Sequence, residues 1–161
     1  MAEIVTVRLI ALDDKFFNRT KLGTIGGTIY FQIDDSQFFP EKGWTDMPLA
    51  VSRDWLSVLL QIAEGATIKD RARFFDGDLA VDVSARGTDV VLLDFLHDEK
   101  IKTSVVAKAP ELLENAVSVT EELVVRCRQR GWNNGDTEAL PSLIKRALRR
   151  LAISKSGEMR G

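Results

Sequence analysis

The forty residues from 68 to 107, IKDRARFFDGDLAVDVSARGTDVVLLDFLHDEKIKTSVVA, decide the fold. Over residues 68 to 75, Lys69, Arg71 and Arg73 fall on one face of an extended chain, and Ile68, Ala72 and Phe74 on the other. Asp76-Gly77 follows, a strong hairpin signal, because a type I′ turn needs positive φ at both central residues and this pair tolerates it. Leu79, Val81 and Val83 then alternate with Asp78, Asp82 and Ser84, with Ala80 as the exception on the polar side. A second turn is expected at Arg86-Gly87-Thr88 and a third at His97-Asp98-Glu99. Residues 90 to 96 are apolar on both faces apart from Asp94, as in a central strand, and residues 101 to 107 complete the set. Four strands so closely spaced leave no room for a crossover helix, so the segment predicts an antiparallel meander.

Upstream, residues 3 to 12 and 28 to 33 read as further strands, the latter with Ile29, Phe31 and Ile33 on one face. The polar segment 18 to 27 predicts a hairpin whose second arm starts near Leu22, and Gly23, Gly26 and Gly27 mark a bend or bulge. Phe39-Pro40-Glu41-Lys42-Gly43 ends the strand region. Leu49, Val51, Trp55, Val58, Leu59 and Ile62 then recur at helical spacing, which predicts a helix over 48 to 64 that Gly65 stops. Pro48 suits its first turn, and Thr45 or Asp46 is the expected capping oxygen.

Downstream, residues 110 to 153 are expected to be helical. Pro110 opens a helix with the stripe Leu113, Ala116, Val117, Thr120, Leu123, Val124 and Cys127, and Gly131 ends it. After a loop at 132 to 136, a last helix sets Leu140, Ile144, Ala147, Leu148 and Leu151 against Lys145, Arg146, Arg149 and Arg150. Residues 154 to 161 are expected to fray. The whole predicts one α+β domain over residues 1 to 161, with an antiparallel meander sheet of about six strands packed against one central helix and two C-terminal helices.

With 161 residues, 45% apolar and 29% charged, the chain has the composition of a folded domain rather than a disordered or repetitive one. Its apolar runs stop well short of the about 18 residues that cross a bilayer, so no membrane span is expected. Glu3 stands where a secretory signal needs basic residues, which makes a cytoplasmic location the expectation. One cysteine, Cys127, and one histidine, His97, exclude an internal disulfide and a four-ligand zinc site. No nucleophile-elbow, zinc-protease, phosphate-loop or dinucleotide-binding pattern occurs. Neither a metal nor a cofactor is expected, and no residue is expected to be catalytic. Asp76, Asp78 and Asp82 lack the further acids of a calcium loop and read as turn chemistry. His97-Asp98 with Ser84 or Ser104 is a fragment of a nucleophilic triad on paper, but nothing in the sequence orients either serine. Cys127 reads as a small buried hydrophobe.

Charge is uneven. Residues 1 to 125 hold 13 basic and 21 acidic side chains, and residues 126 to 161 hold nine and three. The basic face of the last helix has no interleaved aromatics for base stacking, so it reads as a solvated face and nucleic acid is not the expected partner. The acidic segment is more informative. Asp34, Asp35, Glu41 and Asp46 are interspersed with Phe38, Phe39 and Trp44, a mixture of carboxylates and rigid aromatic area that suits docking on a basic protein. Two readings stay open: these seven residues form a partner-binding surface, or the aromatics plug the sheet edge while the acids serve turns.

One arrangement resembles a known group. Phe38-Phe39-Pro40, Gly43-Trp44-Thr45-Asp46-Met47-Pro48, a helix bearing Trp55 and Phe74-Phe75-Asp76-Gly77 follow in order within residues 28 to 95. The order is similar to the "FP, W-x-D-F/M-P, helix with Trp, F-M-D-G-P-Y" pattern of small bacterial immunity-type proteins of polymorphic toxin systems. Phe75 replaces a methionine, Asp78-Leu79 a proline and an aromatic, and Asp54-Trp55 a paired aromatic. The resemblance implies a non-catalytic protein that binds and neutralises a cognate toxin domain. A small enzyme using one of the acids as base and a housekeeping interaction or assembly subunit are the competing classes, and adjacency to a toxin gene separates the last from immunity.

Overall fold

The computed structural model describes residues 3–11 and 14–160. In chain order the elements are β1 (Val7–Ile10), a 3-10 turn (Asp14–Phe16), β2 (Asn18–Arg19), β3 (Ile25–Thr28), β4 (Tyr30–Ile33), β5 (Gln37–Phe39), β6 (Thr45–Asp46), α1 (Pro48–Ala63), β7 (Lys69–Arg73), β8 (Leu79–Gly87), β9 (Val90–His97), β10 (Lys100–Lys108), α2 (Ala109–Gln129) and α3 (Gly135–Arg160). The fold is α+β with antiparallel sheets, as the sequence predicts.

The meander forms a four-stranded sheet in the order β10-β9-β8-β7. Its register aligns Val81 with Phe95 and Val83 with Leu93, so one face is apolar, while Arg71 lies opposite Asp82 on the other. The left-handed two-residue turn is at Asp98-Glu99, with φ of 51° and 63°, and not at Asp76-Gly77, where Gly77 alone has positive φ. That loop is wider, closing with the Phe74 N–H on the Leu79 carbonyl at 3.0 Å, because carboxylates described below hold its amides.

The remaining strands do not extend this sheet as a single layer. They form two three-stranded sheets, β1-β4-β5 and β2-β3-β6, so the expected one sheet of about six strands is three sheets among the described residues. The strand expected over 28 to 33 begins earlier, at Ile25, and divides at Ile29, whose N–H turns to the Trp44 carbonyl at 2.8 Å. Gly27 permits the bend, since a Cβ there would lie 3.1 Å from the Phe17 ring and 3.2 Å from Pro48. The hairpin's second arm accordingly starts at Ile25, and Leu22 is in the connecting turn. The segment leading into β1 is tied to β10 by the Val5 N–H on the Val106 carbonyl at 2.9 Å. On the β1 stretch that passes α2, Asn115 replaces a strand partner, accepting the Leu9 N–H at 2.6 Å and donating to the Leu9 carbonyl.

The sheets meet through aromatic rings. Phe31 of β4 contacts Phe95 of β9 at 5.7 Å between centroids, Phe39 contacts Phe95 at 5.1 Å, and Trp55 of α1 closes on Phe31 at 4.9 Å. Edge-to-face pairing adds about 0.5–1.5 kcal/mol per pair to the area buried. The predicted stripe of α2 is buried throughout. Gly131, at φ 70°, ends α2, with the Trp132 N–H on the Cys127 carbonyl at 2.8 Å. Arg130 then lies 5.0 Å from both the Phe17 and Trp132 rings and pins this corner.

The last helix departs from expectation twice. It runs to Arg160, so residues 154 to 160 are helical rather than frayed. Leu148 is 48% exposed, because the buried face follows Leu140, Ile144, Ala147 and Leu151 and leaves it one position round the helix. Its start is a reciprocal cap: Asn134 Oδ1 accepts the N–H groups of Asp136 and Thr137, and Thr137 Oγ1 accepts that of Asn134. Among the described residues no helix is long and apolar enough to cross a membrane. The two leucines of α3 should separate in urea denaturation: Leu140→Ala is expected to cost about 2–5 kcal/mol, and Leu148→Ala no more than about 1 kcal/mol.

Candidate partner-binding surface

The site begins with Asp46, which the sequence offers both as a helix cap and as a docking carboxylate. It is neither. Asp46 is 8% exposed, and α1 starts from Met47 with no side-chain cap; Pro48 already removes one of the amide donors a cap would serve. Thr45, the other expected cap, is exposed in β6. The Asp46 carboxylate instead accepts the N–H groups of Phe75 and Asp76 at 3.1 and 3.0 Å, that of Met47 at 2.7 Å, and the indole N–H of Trp44 at 3.2 Å. Asp54, nearly two turns into α1, accepts the Arg73 N–H at 2.7 Å. Two carboxylates thus fasten the end of β7 and the following loop to β6 and to the N-terminal half of α1. Burial raises the Asp54 carboxyl above its ordinary 3.8, and the neighbouring Asp70 adds to this, against a lowering by the Arg73 amide.

What this anchorage presents is the Phe75 ring, 48% exposed. Phe75 lines an open groove with Phe16, Thr24, Met47 and Asp76, and Phe16 is itself 44% exposed. A second groove continues from Met47 along Ala50 to Leu22, which is 97% exposed. Two aromatic rings and a leucine therefore surround a half-buried methionine at the N-terminal end of α1. Sequence periodicity does not single out Phe75 and Phe16, since each follows or precedes a buried phenylalanine, Phe74 and Phe17.

The seven residues proposed from sequence do not form one patch. Asp34 and Asp35 are exposed at the β4–β5 turn, Asp34 at φ 56°, and Glu41 is exposed in the next loop. Phe38 is half-buried, edge-on to Tyr30 at 6.0 Å with the Lys42 ammonium 5.5 Å from its ring. Phe39 is buried against Phe74 and Phe95, and so belongs to the core rather than to a docking surface. Trp44 is half-buried and spends its N–H on Asp46. The exposed remainder is an acidic fringe, separate from the Phe75 groove.

Other candidates are occupied. Arg71 binds Asp82 at 2.6 Å and Glu99 at 2.8 Å, contacts that hold its guanidinium more firmly protonated, Asp82 first. Ser104 donates to Asp94 at 2.6 Å, and His97 lies 3.6 Å from Asp98. By register Ser84 and Ser104 sit opposite Leu92 and Asp94, on the face of β9 that His97 does not share, so the triad fragment is not assembled. Asp82 is committed to Arg71, and among the described residues no group of three or more His, Cys, Asp or Glu converges as metal ligands would. Burial pushes the Cys127 thiol up, partly offset by Arg130. On the basic helix, Arg146 is paired with Glu64 at 2.9 Å.

No protein-family model, no curated protein and no solved structure matches the chain.

Two substitutions test the anchorage. Asp46→Asn turns an NH2 donor toward N–H donors and should cost about 2–4 kcal/mol in urea denaturation. Asp54→Asn keeps an acceptor for Arg73 but removes the charge that burial penalises. With a folded pKa above 3.8 the native state binds more protons than the unfolded one. The stability contribution of Asp54 therefore falls as pH rises from 3.8 through the folded value, and the penalty is complete above it. Asp54→Asn is expected to match or exceed the wild type at pH 7, and to lose any advantage below pH 3.8.

Proposed function

We propose that this chain is a non-catalytic binding protein whose partner is a toxin domain that it neutralises. The binding reading is carried by one observation: Phe75 stands exposed on a loop that hydrogen bonds to the buried Asp46 hold in place, with Phe16 exposed beside it. A rigid aromatic pays little ordering entropy on docking, and such anchors dominate interface energetics. The fringe Asp34, Asp35 and Glu41 supplies a negative field that speeds encounter with a basic partner, such as the cleft of a nuclease. The toxin as partner follows from the immunity-type resemblance of residues 28 to 95; an assembly subunit would use the same surface.

The test starts with the product of a toxin gene adjacent to this one, with binding followed by surface plasmon resonance and protection followed by growth. Phe75→Ala, whose ring is outside the core, should keep the denaturation midpoint and raise the dissociation rate about 30-fold, the effect of a hot spot of about 2 kcal/mol. Reversing Asp34, Asp35 and Glu41 to lysine should slow association and flatten its salt dependence while leaving dissociation nearly unchanged. Wild-type binding and protection in both variants would place the interface elsewhere, and the absence of any adjacent toxin gene would favour the assembly subunit.

A further inference from the structure

A cavity of about 240 Å3 lies at the opposite end of α1, between that helix, the β8–β9 turn, the start of α2 and the last third of α3. From Ala50 to Ala63 the helix rises about 20 Å, so this cavity is distinct from the Phe75 groove. Its walls include Leu59, Ile62, Val91, Leu113 and Leu151, with Arg150 as its one cationic group. A cavity of about 150 Å3 accepts benzene, so this one has room for roughly eight to ten non-hydrogen atoms. Preformed apolar pockets with a few polar groups at the rim are the usual form of small-molecule sites.

The polar rim selects the head group. Arg150 is only half-exposed and has no hydrogen bond or ion pair among the described residues, whereas Arg146, one turn earlier, is paired with Glu64. An arginine beside an apolar cavity with its donors unspent matches a carboxylate, which it binds through two parallel N–H bonds. Asp89 also lines the cavity but is exposed in its turn at φ 59°, and its backbone carbonyl accepts the Ala109 N–H at 2.8 Å. We propose that this cavity binds a small apolar monocarboxylate of about six to eight carbons, its chain against Leu59, Leu113 and Leu151 and its head on Arg150.

Calorimetric titration of the full chain with octanoate, octanol and octylamine tests this. Octanoate is expected to bind one to one, at least about tenfold more tightly than either analogue. Affinity should rise from butanoate to octanoate and gain nothing at dodecanoate. Arg150→Gln should weaken octanoate about tenfold and leave octanol unchanged, and Ala63→Trp should abolish binding of both by filling the cavity. Equal affinity for all three probes, preference for octylamine, indifference to Arg150→Gln, or no binding at millimolar concentration would each overturn the proposal. The chain-length series needs no variant, so it stands even if Ala63→Trp does not fold.

Discussion

Four successive backbone amides at the end of β7 have to find acceptors. How they do so organises this half of the molecule. The Arg73 N–H goes to Asp54, the Phe74 N–H to the Leu79 carbonyl, and those of Phe75 and Asp76 to Asp46. A tight two-residue hairpin would have met only every second one within the two strands, because β7 is an edge strand whose alternate amides face away from β8. Here the loop is opened, and α1 with the β6 segment before it provides the acceptors. An amide left without one in this setting would cost about 1–3 kcal/mol, so the acceptors are structural necessities rather than decoration. Their geometry also sets two phenylalanines apart: Phe74 points into the ring cluster with Phe31 and Phe39, and Phe75 is left outside.

The order Trp44, Asp46, Phe75, Asp76 in the sequence acquires a physical meaning from this. Phe75 and Asp76 lie 29 and 30 residues after Asp46, in the other half of the pattern, yet their amides and the Trp44 indole meet on its carboxylate. The spacing serves the fold. What it leaves exposed is an aromatic ring held outward beside Phe16 and Met47, with an acidic fringe elsewhere on the surface, the two features on which the proposed binding rests. Anchor and fringe would act on different steps, dissociation and encounter, so their separation in space does not prevent their acting on one partner.

Local chemistry made much of this legible. The meander was readable from alternation and turns, α1 from its periodicity and Pro48, and the α2 stripe residue by residue. What periodicity does not carry is the choice of partner across a distance. Asp46 precedes a helix and so resembles a cap in sequence, but its acceptors are drawn to amides 29 residues away. Asp54 is a polar position on an amphipathic helix until β7 arrives beside it, and Asn115 is another until β1 does. The same limit explains Leu148: a stripe read from leucine spacing is wider than the contact that neighbouring helices supply. It also explains Ile29, where a regular alternating run bends because Trp44 offers a carbonyl and Gly27 permits close approach. The left-handed turn lies at Asp98-Glu99 rather than at Asp76-Gly77 for a related reason, since the Asp46 carboxylate takes the Phe75 and Asp76 amides and holds that loop open.

Amide hydrogen exchange followed by NMR addresses the central claim most directly. Arg73, Phe75 and Asp76 have exposed side chains, and on burial alone their amides would exchange quickly. They are expected to exchange as slowly as Val81 and Phe95 in the centre of the sheet, through global unfolding, because each is held by a carboxylate, Asp54 or Asp46. Exchange as fast as that of Asp35 and Ser36 in the exposed β4–β5 turn would contradict it, and would show that Asp46 and Asp54 do not hold the loop.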